Sequence, residues 1–119
     1  MAQHNILGQQ GEDMAVDFLK QKGYTVLERN YRYQKAEVDI LARKDDVLAV
    51  VEVKTRSTNT FGDPQDFVKP RQIQNLVKAV DAFIADHTLD LEVRFDIIAI
   101  VKTKTGMELE HLENAFYHF

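Results

Sequence analysis

The run VLAVVEV, Val47 to Val53, constrains the fold of this chain more than any other stretch. It is rich in β-branched residues and reads as a strand. Successive side chains of a strand point to opposite faces, so Leu48, Val50, Glu52 and Lys54 share one side, and Val47, Ala49, Val51 and Val53 the other. The four apolar residues on the Val47 side mark the core. Leu48 and Val50 show that the Glu52 side is partly covered as well. Glu52 is then a difficulty, because a buried carboxylate needs a partner.

The preceding run, Val38 to Ala42, also reads as a strand, and RKDD between the two is a turn. A two-residue loop at Asp45 and Asp46 makes the numbers of every opposed pair sum to 91, which sets Asp39 against Glu52 and Glu37 against Lys54. A four-residue loop keeps that sum, whereas a three-residue loop shifts the register and separates the faces. Opposed like charges destabilise an antiparallel pair by up to ~1 kcal/mol, and more when partly buried. A divalent cation offsets that repulsion, since Mg²⁺ prefers hard oxygen ligands and is commonly held by one or two carboxylates. Lys54, beside Glu52, can donate to a phosphate oxygen or help orient or deprotonate a water. Asp39, Glu52 and Lys54 around one point suit phosphodiester hydrolysis. An isolated E-x-K on a strand is commonly a solvent-facing alternation, so the reading leans on Asp39 being in register.

Elsewhere, Leu7, Met14, Ala15, Phe18 and Leu19 line one face of a helix from Asn5 to about Lys22, ended by Gly23. YTVLERNYRY reads as a strand, irregular after Asn30. RSTNTFGDP is a loop. Ile73, Leu76, Val77, Val80, Phe83 and Ile84 define a second helix, with Pro70 in its first turn, where a missing N–H costs nothing. EVRFDIIAIVK and MELEHLENAF give two further strands around TKTG, whose glycine suits a hairpin. The expected order is α-β-β-β-α-β-β, in one domain spanning residues 1–119.

The chain has no cysteine, which removes disulfides and thiolate metal sites, and no apolar run of membrane-spanning length. A cytoplasmic protein with no membrane contact is expected. The net charge of −4 argues against coating nucleic acid over the whole surface, yet residues 20–78 hold 12 Lys and Arg against 8 Asp and Glu. That asymmetry fits either an unevenly charged surface or a side that faces a polyanion.

With these residues in hand, the chain resembles the YraN family, placed among the PD-(D/E)xK restriction-endonuclease-like nucleases and related to archaeal Holliday-junction resolvases. The stretches carrying the resemblance are GEDMAVDFLKQKGYTVLERNYR, EVDILAR, VVEVKTR, FGDP, RFDIIAI and HLENAF, in that order along nearly the whole chain. The resemblance implies a restriction-endonuclease-like α/β fold, with a mixed sheet of about five strands flanked by helices. It implies a Mg²⁺- or Mn²⁺-dependent endodeoxyribonuclease, with branched DNA among its candidate substrates. Asp39 and Glu52 would be metal ligands together with the Val53 backbone carbonyl, and Lys54 would complete the catalytic set. The resolvase-like branch adds a first-helix Glu, matched here by Glu12, whose other reading is an ordinary exposed acid.

The chain departs from the family pattern in two places. Lys35-Ala36-Glu37 stands where Gly-Gly-Glu is usual, and Gln72, Ile73, Gln74 and Asn75 replace a denser basic cluster. Arg29, Arg32, Arg56, Lys69 and Arg71 remain as candidates to hold a nucleic-acid backbone. A homodimer, or a partner protein supplying further grip on DNA, stays open. The competing class is a non-catalytic nucleic-acid or protein-binding module that keeps the nuclease fold. Glu37 either joins the acidic cluster or pairs with Lys54, and Asp96 either supports the site or bonds to backbone. His4, His87, His111 and His118 share no metal-like spacing, and Tyr24, Tyr31 and Tyr33 read as packing residues ahead of base-stacking ones.

Overall fold

Helical spacing at the start of the chain and again after Pro70 gives two helices, α1 at Ile6–Gln21 and α2 at Pro70–His87. A computed structural model describes residues 6–57 and 69–115. His4, His118 and the FGDP loop lie outside the described residues. The strands are β1 at Thr25–Tyr33, β2 at Ala36–Lys44, β3 at Val47–Arg56, β4 at Glu92–Thr103 and β5 at Gly106–Leu112. The chain therefore has the α-β-β-β-α-β-β order, and its five strands form one mixed α/β sheet in sequence order. β3 and β4 are parallel and every other neighbouring pair is antiparallel. Parallel neighbours require a crossover, and α2 lies within this one.

Both faces of the sheet are core. Ala15, Val16 and Leu19 of α1 pack with Ala49, Val51, Ile98 and Ile100, whereas Leu76, Ala79, Val80 and Phe83 of α2 pack with Leu48, Val50, Phe95 and Ile97. The Glu52 side is thus as deeply buried as the Val47 side, rather than partly covered: Leu48 and Val50 are fully enclosed. The reason is α2, which lays its apolar stripe across them. Burying each large aliphatic or aromatic side chain contributes roughly 1.5–3 kcal/mol, so the two helices are held by their inward faces.

The β2–β3 turn has two residues, with Asp45 in the left-handed region at φ 55°, a conformation that Asp tolerates. The paired register runs from Lys44↔Val47 to Ile40↔Val51, with the sum of 91 kept throughout. β5 is shorter than MELEHLENAF implies. It ends at Leu112, and Asn114 turns the chain at φ 53°, because the Asn114 N–H donates to Asp96 and the Ala115 N–H to the Phe95 carbonyl.

Candidate functional site

Residue alternation in β2 breaks at Asp39. Ala36 and Val38 pack in the α2 cluster, whereas Ile40 and Ala42, of the same parity, pack in the α1 cluster. A regular strand would keep all four on one side. The β2–β3 pairing stops at the same point, with Ile40↔Val51 as its last pair. Just beyond it the Val53 N–H donates to Asp39 Oδ2 at 2.8 Å, so a side chain serves this backbone donor. Glu52, on the face of Leu48 and Val50, is 4% exposed. Its Oε1 accepts from Gln72 Nε2 of α2 at 3.4 Å, a long bond, and its Oε2 is buried with no hydrogen-bond partner among the described residues.

Electrostatics marks the same pair. Burial pushes the Asp39 carboxyl up to about 6, opposed by the Val53 N–H and raised further by the charge of Glu12. Burial also pushes Glu52 well above the usual carboxylate range and the Asp39 charge pushes it further, against the Asp39 backbone N–H, which faces the Glu52 carboxylate and lowers it. Lys54 works in the opposite direction on both. A cation between the carboxylates would reverse these penalties. Among the described residues no group of three His, Asp or Glu side chains is arranged to hold a metal. The donor set at hand is smaller: two carboxylates, one with a buried oxygen that has no partner among the described residues. That set suits a hard cation that keeps several waters, as Mg²⁺ does.

Glu12 reaches this region because of Gly11. A Cβ at Gly11 would collide with Thr55 Oγ1, and would lie 3.1 Å from both Thr55 Cβ and Cγ2, so the missing side chain lets α1 lie close on β3. Glu12 is 6% exposed, and its Oε1 accepts from Arg29 Nη2 at 2.9 Å and Asn30 Nδ2 at 3.1 Å. Asn30 has φ 54°, but the register of β1 shifts earlier than expected, between Val26 and Glu28, and stays regular after Asn30. Glu12 is therefore a buried, tethered acid near Asp39 and not an ordinary exposed one. Glu37 lies opposite Arg32 on β1, 3.8 Å from its guanidinium, instead of pairing with Lys54. Its charge still raises both Asp39 and Glu52.

A family model described as "Uncharacterised protein family UPF0102" matches residues 11–100. The chain belongs to the UPF0102 family, the YraN family of the sequence resemblance. Relatives named UPF0102 protein include one from Christiangramia forsetii, 60% identical over 119 residues with both chains fully covered. Another, from Phocaeicola vulgatus, is 44% identical over 117 residues, covering 98% of this chain and 97% of the relative. The match begins at Gly11 and includes Glu12, Asp39, Glu52 and Lys54.

In this UPF0102 chain Asp96 belongs to a separate network. Asp96 stands beside Val51 in the β3–β4 register, on the α1 face, away from Glu52. Oδ1 accepts from Arg94 Nε at 2.9 Å and from the Asn114 N–H at 3.0 Å, and Oδ2 from Arg94 Nη2 and His111 Nε2, each at 2.8 Å. Arg94 also donates to the Tyr24 hydroxyl, and Lys22 Nζ lies 2.9 Å from His111 Nδ1. Burial pushes Asp96 up, but its bonds from His111, Arg94 and Asn114 outweigh that and hold it below the usual carboxylate range. The network ties the end of α1 to β4 and β5. His87 is likewise structural, stacked on Phe83 at 4.1 Å and bonded to the Phe83 carbonyl.

The candidate phosphate-holding cations of the UPF0102 chain divide into two groups. Arg29 is occupied by Glu12 and by Asp13, the latter at 2.8 Å, so it positions the acid instead of facing solvent as a free grip. Arg32 pairs with Glu37, and Arg56 donates to the Thr55 carbonyl from an exposed position. Lys69 and Arg71 are exposed at the start of α2, where Lys69 provides no side-chain cap. Gln72 in that turn, a position where the usual pattern is basic, bonds Glu52. Its first-turn position on the helix after the E-x-K strand was the available signal.

Proposed function

We propose that this UPF0102 protein is a metal-dependent endonuclease that hydrolyses DNA phosphodiester bonds with Mg²⁺ or Mn²⁺. The observation that carries this reading is Glu52 Oε2, a buried oxygen with no hydrogen-bond partner among the described residues, beside a second carboxylate whose protonation burial favours. A structural ion pair would have ended in a cation from the chain itself, as Asp96 does with Arg94. Asp39, Glu52 and the Val53 carbonyl would hold the cation. Bound there, it would supply charge for the phosphoryl transition state and lower the pKa of a water. Asp39 is fixed by the Val53 N–H, which limits its reorientation when charge develops, and Glu52 accepts a longer bond from Gln72. Lys54, on the Glu52 side of β3, would orient the attacking water or donate to a nonbridging phosphate oxygen. Arg29 and Asn30 hold Glu12 near Asp39, where its negative charge favours cation binding.

The test is a cleavage screen on branched, flapped, single-stranded and plain duplex DNA with Mg²⁺ and Mn²⁺, alongside Glu52→Gln. Cleavage of at least one substrate by the native protein, lost in the variant, supports the reading. Absence of cleavage on all of them, with DNA binding retained, favours a binding module that keeps the nuclease fold.

A further inference from the structure

The turn joining β1 to β2 and the flank of α2 enclose a cleft lined by Tyr33, Gln34, Lys35, Ala36, Asn75 and Lys78. Its chemistry contrasts with the chain as a whole. Two ammonium groups, two carboxamides and a phenol ring line it, and no carboxylate does among the described residues, although acidic residues outnumber basic ones by 19 to 15. Gln34 turns the chain at φ 55°, and Lys35 and Lys78 are both exposed.

Position connects this cleft to the carboxylate pair. Gln72, Asn75 and Lys78 recur every third residue, so they follow one flank of α2, and Gln72 is the residue bonded to Glu52. At 1.5 Å per residue, Asn75 and Lys78 lie ~5 and ~9 Å along the helix from Gln72. On the opposite wall Ala36 precedes Asp39 by three residues, ~10 Å along a strand. Both walls therefore lead to the pair within one to three steps of a stacked strand, at ~3.4 Å per nucleotide.

We propose that this cleft is a nucleotide subsite for unpaired DNA, holding a nucleotide that flanks the phosphodiester presented to Asp39 and Glu52. The position of that phosphodiester rests on the function proposed above. Lys35 and Lys78 contact the phosphates, Tyr33 offers an aromatic ring to the base, and Gln34 and Asn75 offer donors and acceptors to its edge. A base stacked and paired within duplex exposes neither its faces nor its pairing edge, so the cleft favours a single strand.

The experiment is fluorescence anisotropy with a labelled single-stranded oligodeoxynucleotide and with a duplex of equal length, titrated over a salt series in chelator so that no cleavage occurs. The subject is the native chain, Lys35→Gln/Lys78→Gln, and a control that removes the same charge from the β4–β5 hairpin, Lys102→Gln/Lys104→Gln. Single-strand binding by the cleft variant should lose roughly 1.4 from the slope of log K against log salt, at ~0.7 per phosphate contact, while the control keeps the native slope. Tyr33→Leu should weaken single-strand affinity by roughly fivefold or more and duplex affinity less. An unchanged slope in the cleft variant, an equal loss in the control, or no single-strand binding by the native chain would overturn the proposal. A native chain that shows this slope difference yet cleaves nothing in Mg²⁺ removes the nuclease reading and leaves the subsite standing.

Discussion

Asp39 Oδ2 accepts the Val53 N–H at 2.8 Å, at the point where β2 and β3 cease to pair. The carboxylate thereby enters the gap between two strands and meets the residue that follows Glu52. Two acids are held close by backbone geometry, with Lys54 of the same strand lowering the cost of both charges.

A pH dependence follows for the metal-free protein. Asp39 has a folded-state pKa of about 6, above the unfolded value near 3.8, so between these values the folded state holds a proton that the unfolded state releases. Its contribution to stability therefore falls as pH rises through that window. Asp39→Asn removes the penalty. Relative to the native protein, its stability in urea should improve by about 1–3 kcal/mol on going from pH 4 to pH 8, at ~1.4 kcal/mol per pKa unit. A difference that stays constant across this range would show that Asp39 carries no burial penalty.

Asp96 should behave in the opposite way. Its folded-state pKa is depressed, so its contribution is present above the unfolded value and is lost as pH falls through the lower folded one. Asp96→Ala leaves Arg94 and His111 without their shared acceptor and should cost about 3–5 kcal/mol at neutral pH. Denaturant unfolding at pH 7 measures it, and a loss under 1 kcal/mol would show the network to be dispensable.

Gly11→Ala should destabilise by about 1–3 kcal/mol, because the added methyl meets Thr55 Oγ1 across the α1–β3 contact. Thr55→Ala removes that atom and should recover part of the loss in the double variant, a coupling readable from the four melting curves. Strict additivity would place the clash elsewhere.

Much of this was legible before the structure, and the rest was hidden for identifiable reasons. The spacing of Leu76, Val80 and Phe83 and the position of Pro70 define α2, and the two-residue Asp45–Asp46 turn places Ile40 opposite Val51. These are local patterns. The break in alternation at Asp39 was not visible, since nothing in EVDILAR interrupts a strand; it depends on how α1 and α2 divide the two faces. Arg29 read as a phosphate-holding cation, because its ion pairs with Glu12 and Asp13 join α1 to β1 and exist only in the folded chain. Asn30 carried a usable signal, as Asn is among the residues that tolerate positive φ inside a strand-like run.

Lys54→Ala should separate holding the cation from using it. Both carboxylates remain, so Mn²⁺ should still raise the melting temperature, whereas DNA cleavage should fall by at least ~100-fold. Retained cleavage would remove Lys54 from the chemistry.

The most direct test of the account is the thermal melting of the native protein and Glu52→Gln with and without excess Mg²⁺ or Mn²⁺. Metal binding to the folded state alone raises stability by about 2.7 kcal/mol at a hundredfold excess over Kd, several degrees for a domain of this size. The native protein should show that rise, and Glu52→Gln, with apo stability unchanged or modestly higher, should not. An equal response to metal in the two proteins would contradict the account, because the buried Oε2 of Glu52 would then have no part in holding a cation.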